Sequence, residues 1–354
     1  MNLGVVVHRF DAGEGTGGYV VELLPRLAAH HQVTLYAAVV RAPVPPGVDV
    51  VRVPAVMWRA YSAILSFPAA FAAVRRPHDL VHAQGWVTGR ADVVTAHIVM
   101  AAWRRAARRA GVQSPPGERW LGGLVERREG GLLRRARRVI APSGLARDQI
   151  ARHYGRTQGV TVVHHGFPSL APDGAAADAR QRLSLPRDAP VALYVGDARK
   201  GLSAAMAGVA AAPPWHLAIA SRSTVETTID PRALNRIHWL GGLDRVAPAY
   251  LAADLLLHPT ICDSFGLVVA EAMAAGLPAA VTRSAGISEL IEHRHSGWIL
   301  ESGGPADVAA ALVALANPGL RRRLGDAARA VALRRGWDVV AAETLAVYQE
   351  AAGR

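Results

Sequence analysis

One cysteine, one lysine and no long apolar run are the shortages of this chain, and each removes a class of protein. A lone Cys262 excludes an intrachain disulfide framework and any cysteine-rich zinc or iron–sulfur site. The best membrane-span candidate, "AYSAILSFPAAFAAV" (60–74), is about 15 residues long, carries two Ser and a Pro, and is bounded by Arg59 and Arg75. The opening "MNLGVVVHRF" has no basic stretch ahead of its short apolar run, so a secretory signal is not expected. The expectation is a cytoplasmic protein.

The single lysine, Lys200, stands among 39 arginines. Residues 1–168 hold 22 Arg against 10 acids, whereas residues 169–354 hold 18 Arg/Lys against 18 acids, so the whole net charge of +12 belongs to the first half. Eleven of those arginines, against three Glu, crowd into residues 103–138. Such asymmetry points to an anionic partner, or to peripheral attachment at the inner face of an anionic membrane. An arginine-rich solvated face explains it equally well. No recognition-helix, zinc or RNP pattern accompanies the charge, so nucleic acid is not the expected partner.

Hydrophobic residues make up 51% of the 354 and charged residues 19%, enough for two globular domains. Strand-like runs at 3–8, 33–40, 80–84, 93–98, 138–142 and 160–166 alternate with helical stretches such as 18–31, the pattern of a parallel sheet covered by helices. A Pro/Ala/Asp/Gly-rich passage (166–190) reads as a linker, and the alternation restarts at 191–196, 216–221, 237–241, 254–260 and 278–282. This predicts an α/β chain of two Rossmann-like domains, 1–168 and 169–336. A last helix within 337–354 is expected to pack back on the first domain. Ligands of such sheets bind off the carboxyl ends of strands.

The sharpest local pattern is "HPTICDSFGLVVAEAMAAGLPAAVT" (258–282). A strand ends near His258, a polar turn carries Asp263 and Ser264, and a helix starts near Phe265 or Gly266, with Asp263 or Ser264 as its N-cap. Gly276 is placed to end that helix. Asp263 and Glu271 flank the helix start, where the first-turn amides of residues 265–268 suit a phosphate or sugar hydroxyls. An N-cap Asp and a solvated Glu account for the same spacing.

This string resembles the signature of glycosyltransferase family 4, two acids with seven residues between them around an FG-containing turn. The match runs on through "EAMAAGLP" and "AGISELI" (285–291), about thirty residues in all, with weaker similarity in "GTGGYVVELLPRLA", "DLVHAQ", "RRVIAPS", "YVGDARKGL" and the closing "GWD...VY". The first acid is usually Glu in that family and is Asp263 here. The resemblance implies a GT-B fold, two Rossmann-like domains facing a central cleft, with acceptor on the first and nucleotide-sugar on the second. It implies retaining transfer of a hexose-type sugar from a nucleotide-sugar donor to an acceptor hydroxyl on a glycan, lipid-linked or small molecule. No metal and no cofactor are expected, the nucleotide-sugar being a substrate.

The same resemblance implies roles. Lys200 and Arg199, in the turn after the strand 191–196, hold the diphosphate; Arg199 replaces the family's arginine, whose place Asp197 takes. Glu271 holds the ribose. Asp263, Ser264 and the amides of Phe265, Gly266, Leu267 and Val268 hold the sugar. His97, Gly17 and Gly18 approach from the first domain.

"GEGTGG" (13–18) also spells G-x-G-x-x-G, the fingerprint of an NAD-dependent oxidoreductase. The loop from His8 to Gly17 reads as too long for that turn, and no acid follows the second strand before Asp49. A sugar-nucleotide epimerase of similar architecture is the main alternative. "HRH" (293–295) reads as a helix-end cluster rather than a metal site, and the pair His164–His165 has no sequence-level explanation.

Overall fold

The computed structural model describes residues 1–58, 60–112, 116–169, 175–223 and 230–353. It divides into two units, Met1–Gly166 with Trp337–Arg354, and Phe167–Gly336.

The first unit is built on seven parallel strands in the spatial order Val48–Arg52, Gln32–Ala37, Asn2–Val6, Leu80–Gln84, Val93–Thr95, Arg138–Ala141, Val160–Val162. The chain winds outward from Asn2–Val6 in one direction, then returns to its other side. Strands such as Leu80–Gln84 are buried along their whole length because helices cover both faces. The edge strand Val48–Arg52 is half solvated, so it carries no apolar run and escapes sequence reading.

Helix Gly15–Ala28 buries Tyr19, Val20, Leu23, Leu24 and Leu27, the 3–4 spacing of an amphipathic face. The last helix, Trp337–Ala352, packs against it and buries Val340, Thr344, Val347 and Tyr348. Its Tyr348 hydroxyl meets the fully buried His82 Nδ1 at 2.7 Å, and His82 Nε2 meets Thr95 Oγ1 at 2.7 Å. Burial drives the His82 pKa down to about 3, so the ring is neutral in a fully partnered network. The apolar passage 60–74 is the helix Ala60–Val74, whose Ala63, Phe67 and Phe71 lie one turn apart and enter the core.

The second unit has six parallel strands, ordered Ile237–Gly241, His216–Ala220, Val191–Val195, Leu255–His258, Ala279–Thr282, Trp298–Leu300. Its chain order across the sheet is 3-2-1-4-5-6, the doubly wound order of nucleotide-binding folds. Trp298–Leu300 is only three residues long and was too short to register as a strand. The passage expected as a linker is partly structured. Phe167 and Leu185 enter the core of the second unit and Ala176–Arg182 is helical, while residues 170–174 lie outside the described residues.

Two further expectations are corrected. The first helix starts at Gly15, not Gly18, and a short strand Arg9–Phe10 occupies the loop before it. The helix of the 258–282 pattern starts at Leu267, with Gly266 in a left-handed conformation (φ 107°) at the N-cap position in place of Asp263 or Ser264. Its other end is as read. Gly276 has φ 76°, its amide reaches Met273 O and Leu277 N reaches Ala272 O, a Schellman ending.

The helix Pro116–Arg135 places one carboxyl in the interior. Glu129 is buried, and its Oε2 accepts both the Met100 amide, at 2.8 Å, and the Tyr154 hydroxyl. Burial raises its pKa to about 7, against the pull of those two donors. The folded state therefore holds a proton that the unfolded chain loses above about pH 4.5, and stability falls as pH rises through 7. Glu129→Gln keeps an oxygen for both donors and removes the charge. Urea unfolding at pH 8 should show a gain on the order of 1–3 kcal/mol, shrinking toward zero at pH 4.5.

Candidate functional site

The two central strands of the second sheet, Val191–Val195 and Leu255–His258, feed helices on opposite faces, so their exit loops part and leave a crevice at the carboxyl ends. Lys200 comes from one loop and Asp263 from the other. Their Nζ and Oδ2 atoms are 2.9 Å apart.

The first loop is shaped by glycines and by Asp197. Gly196 leaves the strand at φ 129°, and the Asp197 carboxylate caps a 3-10 turn, Ala198–Lys200, by accepting the Arg199 amide at 2.9 Å. Tyr194 donates to the Asp197 carbonyl at 2.7 Å, and the Ala198 amide donates to Ser223 Oγ at 2.9 Å. Gly201 follows at φ 118°, so close to the other loop that a Cβ there would lie 2.1 Å from the Pro259 carbonyl oxygen. That contact brings Lys200 to Asp263.

The second loop is pinned along its length. Thr260 O accepts the Thr282 and Ser284 hydroxyls, Asp263 N donates to Ser284 O at 2.9 Å, and Ile287 N donates to Phe265 O at 2.7 Å. Phe265 points into the core. The Asp263 carboxylate receives Lys200 on Oδ2, faces the buried His258 Nε2 at 3.5 Å, and accepts the Phe265 amide on Oδ1 at 3.3 Å. Burial alone raises such a carboxyl, but Lys200 and His258 hold it well below the usual carboxylate range. Burial likewise opposes the Lys200 charge and Asp263 outweighs it, so the lysine pKa is raised. Both groups are ionised, and Asp263 is no proton donor.

Beyond Gly266, whose φ is accessible to few side chains, the amides of Leu267 and Val268 open the helix Leu267–Ala274. The Phe265 amide, expected to be available, is engaged by Asp263. Ser264 is buried within the same turn. Glu271 lies one turn into the helix, its Oε2 accepting the Tyr250 hydroxyl at 2.6 Å. Burial raises the Glu271 pKa against this bond.

Arg199 is close by but differently employed. Its guanidinium folds back on Asp197, Nε 3.1 Å from each oxygen and Nη2 2.7 Å from Oδ2. Any replacement of the family's arginine comes with that acid attached.

In the first unit, His97 follows the strand Val93–Thr95, and its Nε2 lies 2.8 Å from Oε1 of the buried Gln84. Burial lowers its pKa to about 3, so it presents a neutral ring. Tyr19, next to Gly18, packs edge-on against it at 4.8 Å, and His165 lies between Tyr19, His97 and Trp337, which gives the second histidine of the 164–165 pair a packing role. A Cβ on Gly17 would fall 2.5 Å from Asp11 O, and one on Gly18 3.2 Å from Ala12 O, so both glycines serve close packing of the helix on the preceding loop. In the second unit, His293 of the "HRH" string accepts the Ile299 amide through Nδ1.

The arginines of 103–138 gather partly into two surface groups; residues 113–115 of that stretch lie outside the described residues. Arg127, Arg128, Arg134 and Arg135 share one exposed side of the helix Pro116–Arg135, around a cavity of about 450 Å³. Two of its acids turn elsewhere: Glu126 pairs with Arg104 at 2.7 Å and Glu129 is buried. Arg134, Arg135, Arg137, Arg138 and Arg156 line a second groove at the amino ends of Arg138–Ala141 and Val160–Val162, the end of the sheet opposite His97.

A family model described as Glycosyltransferase Family 4 matches residues 13–169, and one described as Glycosyl transferases group 1 matches residues 189–317. A D-inositol 3-phosphate glycosyltransferase from Streptomyces bingchenggensis is 32% identical over 96% of this chain and 85% of its own length. The chain belongs to glycosyltransferase family 4. A second D-inositol 3-phosphate glycosyltransferase, from Xylanimonas cellulosilytica, is 30% identical over 97% of this chain and 93% of that one. Among solved structures, sucrose-phosphate synthase from Thermosynechococcus elongatus superposes with a TM-score of 0.76 at 20% identity, over 99% of this chain and 98% of that chain. Anabaena HepE in complex with UDP and glucose gives 0.70 at 16% identity, over 98% and 99%. The fold of this family 4 enzyme is GT-B.

The sequence reading singled out Lys200, Asp263 and Glu271, which lie in the crevice region, and passed over His258, Tyr250 and Gln84, which contact the residues it chose. His258 and Gln84 share a signal, a polar residue closing an apolar strand at its carboxyl end. Gly201→Ala should show what holds the loops together. It forces a methyl into the Pro259 carbonyl at a positive φ, and should destabilise the second unit by about 3 kcal/mol in urea unfolding.

Proposed function

We propose that this glycosyltransferase moves a sugar from a nucleotide-sugar donor to a hydroxyl of a phosphorylated small-molecule acceptor, with retention at the anomeric carbon. The observation that carries the donor half is the meeting of Lys200, Asp263 and the Leu267–Val268 amides at the crevice of a doubly wound sheet. The acceptor half rests on relatives whose name specifies D-inositol 3-phosphate.

In this reading Lys200 and the helix-start amides meet the diphosphate, whose negative charge grows as the bond to the sugar breaks. Arg199 contributes beside them while paired to Asp197. Asp263, ionised throughout, accepts from sugar hydroxyls, and Glu271 accepts from the ribose cis-diol. Ser264 keeps its assignment to the sugar subsite. In the first unit, the neutral His97 is assigned to hydroxyl recognition, and Gly17 and Gly18 to the approach of helix-start amides to phosphate, the Gly18 amide itself being bonded to Glu14 O at 2.6 Å. A donor phosphate oxygen takes the acceptor proton, so no protein base is assigned, and the reaction is assigned no metal or cofactor.

Lys200→Ala and Glu271→Ala should each lower turnover by about 100-fold or more. Lys200→Ala should also lower stability on the order of 2 kcal/mol, since it orphans Asp263 while the lysine side chain itself is 29% exposed. Full turnover in either folded variant overturns the roles. A thermal-shift panel of UDP, GDP, ADP and dTDP sugars identifies the donor; product formed from donor alone indicates epimerase chemistry instead.

Arginines 127, 128, 134 and 135, which pair with no carboxylate among the described residues, support a finer proposal, peripheral attachment to an anionic bilayer. Vesicles containing phosphatidylglycerol should sediment the protein at low salt and release it at about 0.5 M salt. Failure to sediment removes the proposal.

A further inference from the structure

Tyr250 is the strongest residue of the second unit that no role yet covers. It lies in the short helix Ala247–Ala252, is 3% exposed, and directs its hydroxyl to Glu271 Oε2 at 2.6 Å. A phenol buried this deeply needs a partner for its hydroxyl, and the partner here is the carboxylate to which the ribose is assigned. We propose that Tyr250 is the positioning residue of nucleotide recognition, fixing one oxygen of Glu271 so that the carboxylate presents its other oxygen to the ribose cis-diol. The inference rests on the assignment of the ribose to Glu271.

Two physical consequences follow. The first is geometric. A glutamate side chain has three rotatable bonds, and an anchored Oε2 removes most of the freedom that ribose binding must otherwise freeze. The second is electrostatic. Burial raises the Glu271 pKa, and the phenol is the group that pulls it back toward the ionised form. The elements packed on the helix Leu267–Ala274 bring His258, Glu289, Arg321, Arg322, Arg323, Asp326 and Arg329, and none of these joins Tyr250 in shifting the carboxyl. Burial in turn raises the Tyr250 pKa, reinforced by the Glu271 charge, so the phenol stays a donor at every working pH.

Tyr250→Phe removes one oxygen and leaves the packing, and thermal unfolding checks that the fold is kept. The probe is a chemical one: the nucleoside diphosphate that shifts the melting temperature most in a panel of UDP, GDP and ADP, compared with its 2′-deoxy form by calorimetric titration. The wild type should favour the ribonucleotide, and Tyr250→Phe should weaken that ribonucleotide about tenfold while leaving the deoxy form nearly unchanged. The loss should grow as pH falls, because a Glu271 without its phenol protonates at higher pH, and it should fade in alkali. Glu271→Gln separates the two ideas. If Glu271→Gln leaves the ribo/deoxy preference intact, the ribose assignment itself fails. If Glu271→Gln abolishes the preference while Tyr250→Phe keeps it at every pH, the positioning role of Tyr250 is overturned.

Discussion

An ion pair between two loops, Lys200 Nζ to Asp263 Oδ2, organises the second unit's crevice. It exists because the 3-2-1-4-5-6 strand order makes the first and fourth strands neighbours while sending their helices to opposite faces. Residues 63 positions apart then leave the sheet side by side. Asp263 is mostly buried, and a buried carboxylate without a cation is unstable. Lys200 supplies that cation, His258 backs it, and Gly201 permits the approach by having no side chain to meet Pro259.

The local charges nearly cancel. Lys200 and Arg199 are each paired with an acid, Asp263 and Asp197, so the four sum to zero. In the proposed donor site, recognition of an anion would therefore depend less on a net field than on directed donors: an ammonium that can turn from carboxylate to phosphate, and amides at a helix start that Gly266 leaves uncovered. The pinning of the 260–265 loop to 282–287 keeps Asp263 in place while Lys200, on its flexible stem, moves.

Much of this was legible in the sequence because the patterns are local. Buried parallel strands read as apolar runs, and "LVHAQ" matches the strand Leu80–Gln84 residue for residue; "IHWLG" matches the half-exposed edge strand Ile237–Gly241 as well, because that edge keeps its apolar residues. The acids of the 258–282 pattern were found through spacing. What escaped had a physical reason in each case. Val48–Arg52 is an edge strand with solvated faces. The helix start was misplaced because Asp263 looks like an N-cap, whereas its carboxylate is claimed from across the crevice by Lys200. Tyr250 and Gln84 were invisible because they act through contacts 21 and 13 residues away in the chain.

The one lysine among arginines has a geometric rationale in the same turn. Arg199 meets Asp197 with a fork, reaching both carboxylate oxygens within 3.1 Å. Asp263 offers a more crowded face: Oδ1 accepts the Phe265 amide, much as Asp197 Oδ1 accepts the Arg199 amide, but Oδ2 also faces the buried His258. A planar guanidinium aimed at that crowded oxygen would leave most of its donors unmatched in a largely dry crevice. A compact ammonium needs only the one contact, and its remaining protons are available to a phosphate. The turn thus uses its two cations for different geometries. Arginine serves where the second oxygen is open, and lysine where a buried histidine already stands against it.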